Sequence, residues 1–109
     1  DHDASDAIGE KILGEQPNKY YRDNAASDIN NFRTQILMNK ADLVIALFGD
    51  QYRQWNTAMD ATTAINQNKP LIIVRPSELI HSLKELSNKA NVTVETLDQA
   101  VEVLDYVFK

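Results

Sequence analysis

The chain has 109 residues and no Cys, and its formal net charge at pH 7 is −5. This length allows at most one small domain, and 43% hydrophobic with 25% charged residues indicates a globular chain rather than a disordered one. No apolar run approaches the roughly 20 residues that span a bilayer, and no Lys/Arg cluster is present to bind the phosphates of DNA or RNA. We therefore expect neither a membrane nor a nucleic-acid polymer as a partner, and the lack of Cys favours a cytoplasmic location.

The first part of the chain predicts two helices. The first begins at residue 5 or 6 and ends at Gly14, which is a helix stop signal. Its apolar side holds Ile8, Ile12 and Leu13. Residues 15–24 then predict a loop, because Pro17 and Asn18 break helices, and a second helix follows from about residue 23 to 39. The residues expected on the core face of this helix are Ala26, Ile29, Phe32, Ile36 and Leu37.

The rest of the chain predicts three strands that alternate with three helices. Residues 42–48 and 71–74 are continuous apolar runs, which are typical of strands covered on both faces, and residues 92–95 alternate as an edge strand does. Helices are predicted over residues 57–67 and 77–90, and from about Leu97 onward. The apolar positions at helical spacing in the last two helices are Leu79, Leu83, Leu86 and Ala90, and then Leu97, Ala100, Val101, Leu104 and Phe108.

This order of elements predicts a three-layer α/β fold with a parallel sheet of the flavodoxin or Rossmann type, joined by right-handed crossovers. Such a sheet normally has about five strands, whereas the sequence predicts three and does not begin with Met. We therefore expect that the N-terminal βαβ unit is missing from this chain. Residues 1–109 would then form a single, N-terminally truncated domain.

The stretch "FGDQYRQWNTAMDATTAI", residues 48–65, is the best candidate for a ligand site. It follows a predicted parallel strand, and ligands of open parallel sheets bind outside the carboxyl ends of the strands. Asp60 falls in the first turn of the predicted helix, where free N–H groups and the helix dipole favour a negative charge. A carboxylate kept ionised there can attack a sugar carbon whose transition state resembles an oxocarbenium ion. Asp50 is the second acid of the stretch, and Tyr52 and Trp55 can stack on a base or cover a sugar.

The same residues also have structural interpretations, which spacing alone leaves open. "TAMD" fits a capping box with Thr57 as the N-cap, although Asp60 is shorter than the usual Glu or Gln. Trp55 can instead be a hydrophobic lid on the helix, and Tyr52 can pack at its rim. Arg75, at the end of the second strand, can bind a phosphate or a carboxylate or form a surface ion pair. No metal-ligand cluster and no Gly-rich phosphate loop occurs, so we expect neither a metal nor a cofactor.

Four segments resemble the YtoQ family, which is grouped with the nucleoside 2-deoxyribosyltransferases. They are "SDAIGEKILGEQPN", "INNFRTQILMNKADLVIALFG", "YRQWNTAMDA" and "KPLIIVRPSELIHSLKEL", and the similarity covers essentially the whole chain. Members of the family begin with a strand, a glycine-bearing loop, and a further helix and strand. This resemblance implies that these parts precede the present sequence. It also implies that the first strand here has an open edge, so we expect either the missing piece or a homo-oligomer to cover it.

Deoxyribosyltransferases carry an Asp-x-Gly-Thr-x-x-Glu-x-Gly type of motif at this loop-to-helix junction, and its Glu is the nucleophile. The resemblance places Thr57 at the Thr of the motif and Asp60 at the nucleophile. Gln54 stands at the first Asp, Asn56 at the first Gly and Thr62 at the last Gly. Because Asp is one methylene shorter than Glu, the attacking oxygen would lie over ~1 Å away from its place in the motif.

These observations lead to three functional hypotheses. The first is a transferase or hydrolase of the N-glycosidic bond in a nucleoside or nucleotide, with Asp60 as nucleophile and a small-molecule substrate. Asp50 and Asn56 would then hold the sugar hydroxyls, and Trp55 or Tyr52 the base. The second is a binding module without turnover, in which Gln54, Asn56 and Asp60 form hydrogen bonds to the ligand. The third is an oligomer-forming structural domain.

Overall fold

The computed structural model describes residues 2–49 and 55–109, with side chains from residue 7 onward, and divides the chain into two compact units after Asn39. The first unit holds two helices, α1 (His2–Leu13) and α2 (Lys19–Lys40). The predicted stop at Gly14 is confirmed. The φ of Gly14 is 85°, a left-handed conformation that suits Gly, and its N–H donates to the carbonyl of Glu10 at 2.9 Å.

Small residues bring α1 and α2 together. A Cβ added to Gly9 would lie 3.4 Å from the backbone nitrogen of Ala26, and both residues are buried. On the surface, Nε of Arg22 lies 2.9 Å from Oε1 of Glu10. The contact therefore uses the Gly9 face of α1, and the predicted apolar side was wrong as a buried face. Its residues Ile8, Ile12 and Leu13 are all exposed.

The start of α2 differs from the prediction, because Asn18 caps the helix instead of breaking it. The side-chain Oδ1 of Asn18 accepts a hydrogen bond from the N–H of Tyr21 at 3.2 Å, and its carbonyl accepts one from Arg22 at 3.0 Å. The helix therefore begins at Lys19 rather than near residue 23. Its buried residues are Ala25, Ala26 and Met38, Ile29 is half-buried, and Phe32, Ile36 and Leu37 are exposed, which corrects the predicted core face.

The second unit, Lys40–Lys109, contains the predicted parallel sheet. Its strands are β1 (Val44–Leu47), β2 (Leu71–Val74) and β3 (Val92–Val94), in the spatial order β1-β2-β3. Both pairs are parallel, with Val44 opposite Leu71 in one and Ile72 opposite Val92 in the other. All four residues of β2 are buried, as predicted, because β2 is the central strand.

Helices cover both faces of this sheet. After β1 comes α3 (Trp55–Asn66), and after β3 comes α5 (Leu97–Val107). Ala100 of α5, fully buried, packs with Ile72 and Val74 on one face. Residues alternate between faces along a strand, so Leu71 and Ile73 lie on the other face, which α3 covers as it packs on β1 and β2. The second unit therefore has the predicted three-layer α/β architecture.

Several helical details depart from the pattern. Residues 77–90 are not one helix but a short 3₁₀ helix (Ser77–Leu79) followed by α4 (Lys84–Lys89). The inward stripe of α5 is also rotated from the predicted one, because Ala100 sets the contact with β2 and Val103 and Leu104 follow it. The predicted core residues that are exposed in the second unit are Leu47, Leu97, Val101 and Phe108.

Asparagines hold the connections around β2. Asn68, with φ of 58°, ends α3 as predicted, and Lys69 N–H donates to the carbonyl of Ala64 at 2.9 Å, which is the pattern of a Schellman cap. Asn91 accepts a hydrogen bond from the N–H of Leu71 through its side chain at 2.9 Å and donates its own N–H to the carbonyl of Leu71 at 2.9 Å. Within the described ranges, no helix combines the length and apolar character needed to cross a membrane.

Candidate functional site

The carboxyl ends of the three strands lie side by side. Phe48, which follows β1, donates its N–H to the carbonyl of Val74 at 2.8 Å. Arg75, which follows β2, donates its N–H to the carbonyl of Val94 at 2.9 Å. These two bonds continue the parallel ladder by one residue past the strands. The residues after β1, β2 and β3 are therefore neighbours at the edge where parallel α/β sheets bind ligands.

Helix α3 begins at Trp55, two residues earlier than predicted. Residues 55–57 contain neither Pro nor Gly, so nothing in them prevents the helix from extending toward the strand. Thr57 is consequently a helical residue and not the N-cap, and the capping-box interpretation of "TAMD" is wrong. Asp60 is the sixth residue of α3, beyond the first four residues whose N–H groups lack helical partners. The placement of Asp60 in the first turn was therefore also wrong.

The surroundings of Asp60 disfavour its ionised form, whereas the sequence predicted that they would favour it. Asp60 is exposed, but its neighbour Ala61 is fully buried, as is Ala64 one turn further along. Partial burial at this border of the packed face raises the pKa of the Asp60 carboxyl above its ordinary value of 3.8. The protein thus disfavours the ionised form of Asp60, whereas a helix N-terminus would favour it.

The other predicted site residues fall into two groups. Trp55 and Asn56 are exposed in the first turn of α3, and Thr57 is half-buried beside them. Asn56 and Thr57 are four and three residues before Asp60, so all three lie on one side of the helix. Trp55 is 68% exposed, which does not fit a lid packed onto the helix. The remaining predicted residues, Asp50, Tyr52 and Gln54, lie outside the described residues.

Within the described part of the chain, no group of three His, Cys, Asp or Glu side chains is placed to hold a metal ion. An open groove of about 620 Å³ runs along β3 and α5. Its polar lining residues include Glu95, Gln99, Glu102 and Tyr106. Two carboxylates oppose the binding of an anionic ligand, and sequence reasoning did not point to this groove. It lies on the α5 side of the sheet, whereas Asp60 belongs to α3.

Comparison with known proteins supplies the family. A family model described as "Nucleoside 2-deoxyribosyltransferase YtoQ" matches residues 1–108. The chain belongs to this family. A YtoQ-family relative from Bacillus subtilis (strain 168), "Uncharacterized protein YtoQ", is 67% identical over 108 residues, which are 99% of this chain and 73% of the relative. The resemblance drawn from the four segments is therefore confirmed.

Proposed function

We propose that this YtoQ-family chain cleaves or transfers the N-glycosidic bond of a nucleoside or nucleotide, with Asp60 as the nucleophile. The observation that carries the proposal is that Asp60 belongs to the helix that follows β1, because parallel sheets bind ligands where such helices begin. The family description names nucleoside 2-deoxyribosyltransferase, and Asp60 takes the place of the nucleophile in the deoxyribosyltransferase motif.

The proposed reaction has two steps. In the first, an Oδ atom of Asp60 forms a bond to the anomeric carbon while the bond from that carbon to the base nitrogen breaks. The electron pair of the broken bond leaves with the base, which takes up a proton from solvent, and the sugar remains as an ester on Asp60. In the second step, water or another base attacks the same carbon, gives up a proton to solvent and releases the Asp60 carboxylate. Water gives a hydrolase, and a second base gives a transferase.

Neighbouring residues have proposed binding roles. Asn56, one turn before Asp60 on the same side of α3, would bind a sugar hydroxyl together with Asp50. Thr57, three residues before Asp60, lies on the same side of the helix. The exposed ring of Trp55 offers a surface on which a base can stack. Tyr52 and Gln54 complete the proposed set of substrate-binding residues.

The raised pKa of Asp60 has a direct consequence for the reaction. Only the ionised carboxylate can attack the sugar, and burial makes ionisation harder than in a free Asp. A more basic carboxylate is also a stronger nucleophile, so the same burial favours attack once the proton is lost. The rate should therefore rise with pH as Asp60 ionises.

A binding module without turnover is the second candidate, and one observation favours it. Asp60 lies beyond the first turn of α3 and lacks the free N–H groups that would hold a carboxylate ionised. Asp60 would then be a hydrogen-bonding group for the ligand. Self-association through the β1 edge is compatible with either function and stays a prediction.

The test is to incubate the protein with a panel of nucleosides and nucleotides and to follow free base by chromatography. The panel contains ribo and 2′-deoxyribo forms, each with and without a 5′-phosphate and with and without a second base as acceptor. Asp60→Asn should lower the rate at least about 100-fold, and Asp60→Glu should retain part of it. Asp105→Asn, the same change at an exposed position of α5, is the matched control and should act as wild type.

Two results separate the candidates. Base release that Asp60→Asn leaves unchanged contradicts the role of Asp60. If no base is released but a panel member raises the melting temperature, the binding module replaces the enzyme.

A further inference from the structure

Arg75 is a cation at the centre of the sheet edge that holds the proposed site. It follows β2, the middle strand, and its N–H continues the ladder to β3 by donating to the carbonyl of Val94 at 2.9 Å. By strand alternation it shares the face of Leu71 and Ile73, which α3 covers. Arg75 is therefore on the same side of the sheet as the helix that carries Asp60.

The guanidinium of Arg75 has two donors without acceptors. Its Nε and Nη1 atoms are buried and form no hydrogen bond, and Arg75 forms no ion pair with the residues that the structure describes. A buried charged donor without a partner loses its hydration and gains nothing in return, which is costly for folding. Part of Arg75 remains accessible at this edge of the sheet.

The geometry of the guanidinium group indicates which kind of ligand Arg75 can bind. Nε and Nη2 of Arg lie on the same side of the guanidinium and form a planar fork that matches two oxygens of a phosphate or carboxylate, while Nη1 points to the other side. An anionic group of this kind would supply an acceptor for Nε and a compensating negative charge. The groove along β3 and α5 offers the opposite environment, because Glu95 and Glu102 line it.

We infer that Arg75 binds the 5′-phosphate of the substrate, which makes a nucleoside 5′-monophosphate, rather than a free nucleoside, the ligand of this site. This inference rests on the proposed function, because it assigns a part of the same substrate to a residue at the same edge. Asp60 faces the sugar carbon in this arrangement, and Arg75 fixes the phosphate end.

The test measures binding rather than turnover, by calorimetry with Asp60→Asn, which keeps the substrate intact. A 2′-deoxynucleoside 5′-monophosphate should bind about 10- to 100-fold more tightly than the same nucleoside, the value of a charge-assisted hydrogen-bond pair. In the same background, Arg75→Met should abolish this difference, and Arg75→Lys should restore part of it. Arg33→Met, which removes the same charge from an exposed position of α2, is the matched control and should leave the difference unchanged.

A structural role for Arg75 predicts a different result in the free protein. Removal of an unpartnered buried donor pair should leave the melting temperature of the ligand-free protein unchanged or raise it. A fall in that temperature on Arg75→Met, with the phosphate preference retained, would show an internal contact and overturn the inference. Equal affinity of nucleoside and monophosphate in the parent protein would also overturn it.

The outcome is independent of catalysis. A phosphate preference that depends on Arg75, in a protein that releases no base, refutes the enzyme but supports the ligand assignment. Base release from free nucleosides and monophosphates at equal affinity supports the enzyme and refutes the assignment. Binding of inorganic phosphate alone, with no contribution to nucleotide affinity, likewise refutes it.

Discussion

Thr96 and Thr57 offer a direct test of where the helices of the second unit begin. Thr96 is the N-cap of α5, and its Oγ1 accepts a hydrogen bond from the N–H of Gln99 at 3.2 Å. The side chain of Gln99 returns the interaction, because its Oε1 accepts hydrogen bonds from the N–H of Glu95 at 2.7 Å and of Thr96 at 3.1 Å. Thr57, by contrast, is the third residue of α3 and caps nothing.

The two substitutions should therefore differ in magnitude. Thr96→Ala removes one cap acceptor and should lower the free energy of unfolding by about 1 kcal/mol, within a range of about 0.5–2 kcal/mol. Thr57→Ala replaces a helical Thr with the best helix former. The gain in helix propensity offsets the lost packing of the half-buried Thr57 side chain, so the free energy of unfolding should change by no more than about 0.5 kcal/mol in either direction. Both residues lie in the second compact unit, so one unfolding transition reports on both.

Urea denaturation followed by circular dichroism measures both values, and thermal unfolding should show a drop of about 4 °C for Thr96→Ala. Gln99→Ala removes the other half of the capping box and should be coupled to Thr96→Ala in a double-mutant cycle. Equal losses for Thr57→Ala and Thr96→Ala would refute the reasoning, because they would mean that Thr57 caps α3 and that Asp60 lies in its first turn.

Three further predictions concern the core, a helix end and the charge of Asp60. Ile73→Ala, at a fully buried position of the central strand, should lower the free energy of unfolding in chemical denaturation by about 2–5 kcal/mol. Leu47→Ala, at a half-exposed position of β1, should lower it by less than about 1 kcal/mol. Equal losses of stability would contradict the sheet order. Gly14→Ala should cost about 1 kcal/mol in thermal unfolding, because its φ of 85° strains any residue with a Cβ; an unchanged melting temperature would mean another conformation. Burial makes Asp60 harder to ionise in the folded chain than in the unfolded one, so its ionisation lowers stability as the pH rises from 3.8 through its raised folded pKa. Over that range Asp60→Asn should gain stability relative to wild type, and the rate of base release by wild type should rise; a rate that is flat from pH 3.8 upward contradicts the shift.

The sequence predicted the sheet because its signal was local and strong. The apolar run 71–74, with Pro70 before it and Pro76 after it, predicts a buried strand, and the structure places this strand at the centre of the sheet. Helix starts were harder to predict, because one residue can act in two ways. Asn18 disfavours a helix interior but stabilises a helix start, and only its hydrogen bond to Tyr21 decides between them.

Capping motifs also show why helix starts are hard to predict from sequence. "TLDQ" at 96–99 carries the full Thr-x-x-Gln signal and forms the capping box of α5, while "TAMD" at 57–60 has an Asp that is too short. The Thr-x-x-Gln form therefore separates the true capping box from the Thr-x-x-Asp stretch. The unpartnered donors of Arg75 could not be predicted, because an ion pair at that position depends on which side chains the fold brings near it.

In the proposed reaction Asp60 forms a covalent bond to the sugar, and trapping of this ester tests the proposal. A nucleoside or nucleotide of 2-deoxy-2-fluoroarabinose serves as the probe, because the electron-withdrawing fluorine slows the attack of water on the ester and lets it accumulate. After proteolysis, mass spectrometry should find the fluorinated sugar on Asp60, and Asp60→Asn should carry none. Base release with the sugar bound to another residue, or with Asp60 unmodified in a protein that turns over the natural substrate, would contradict the proposal.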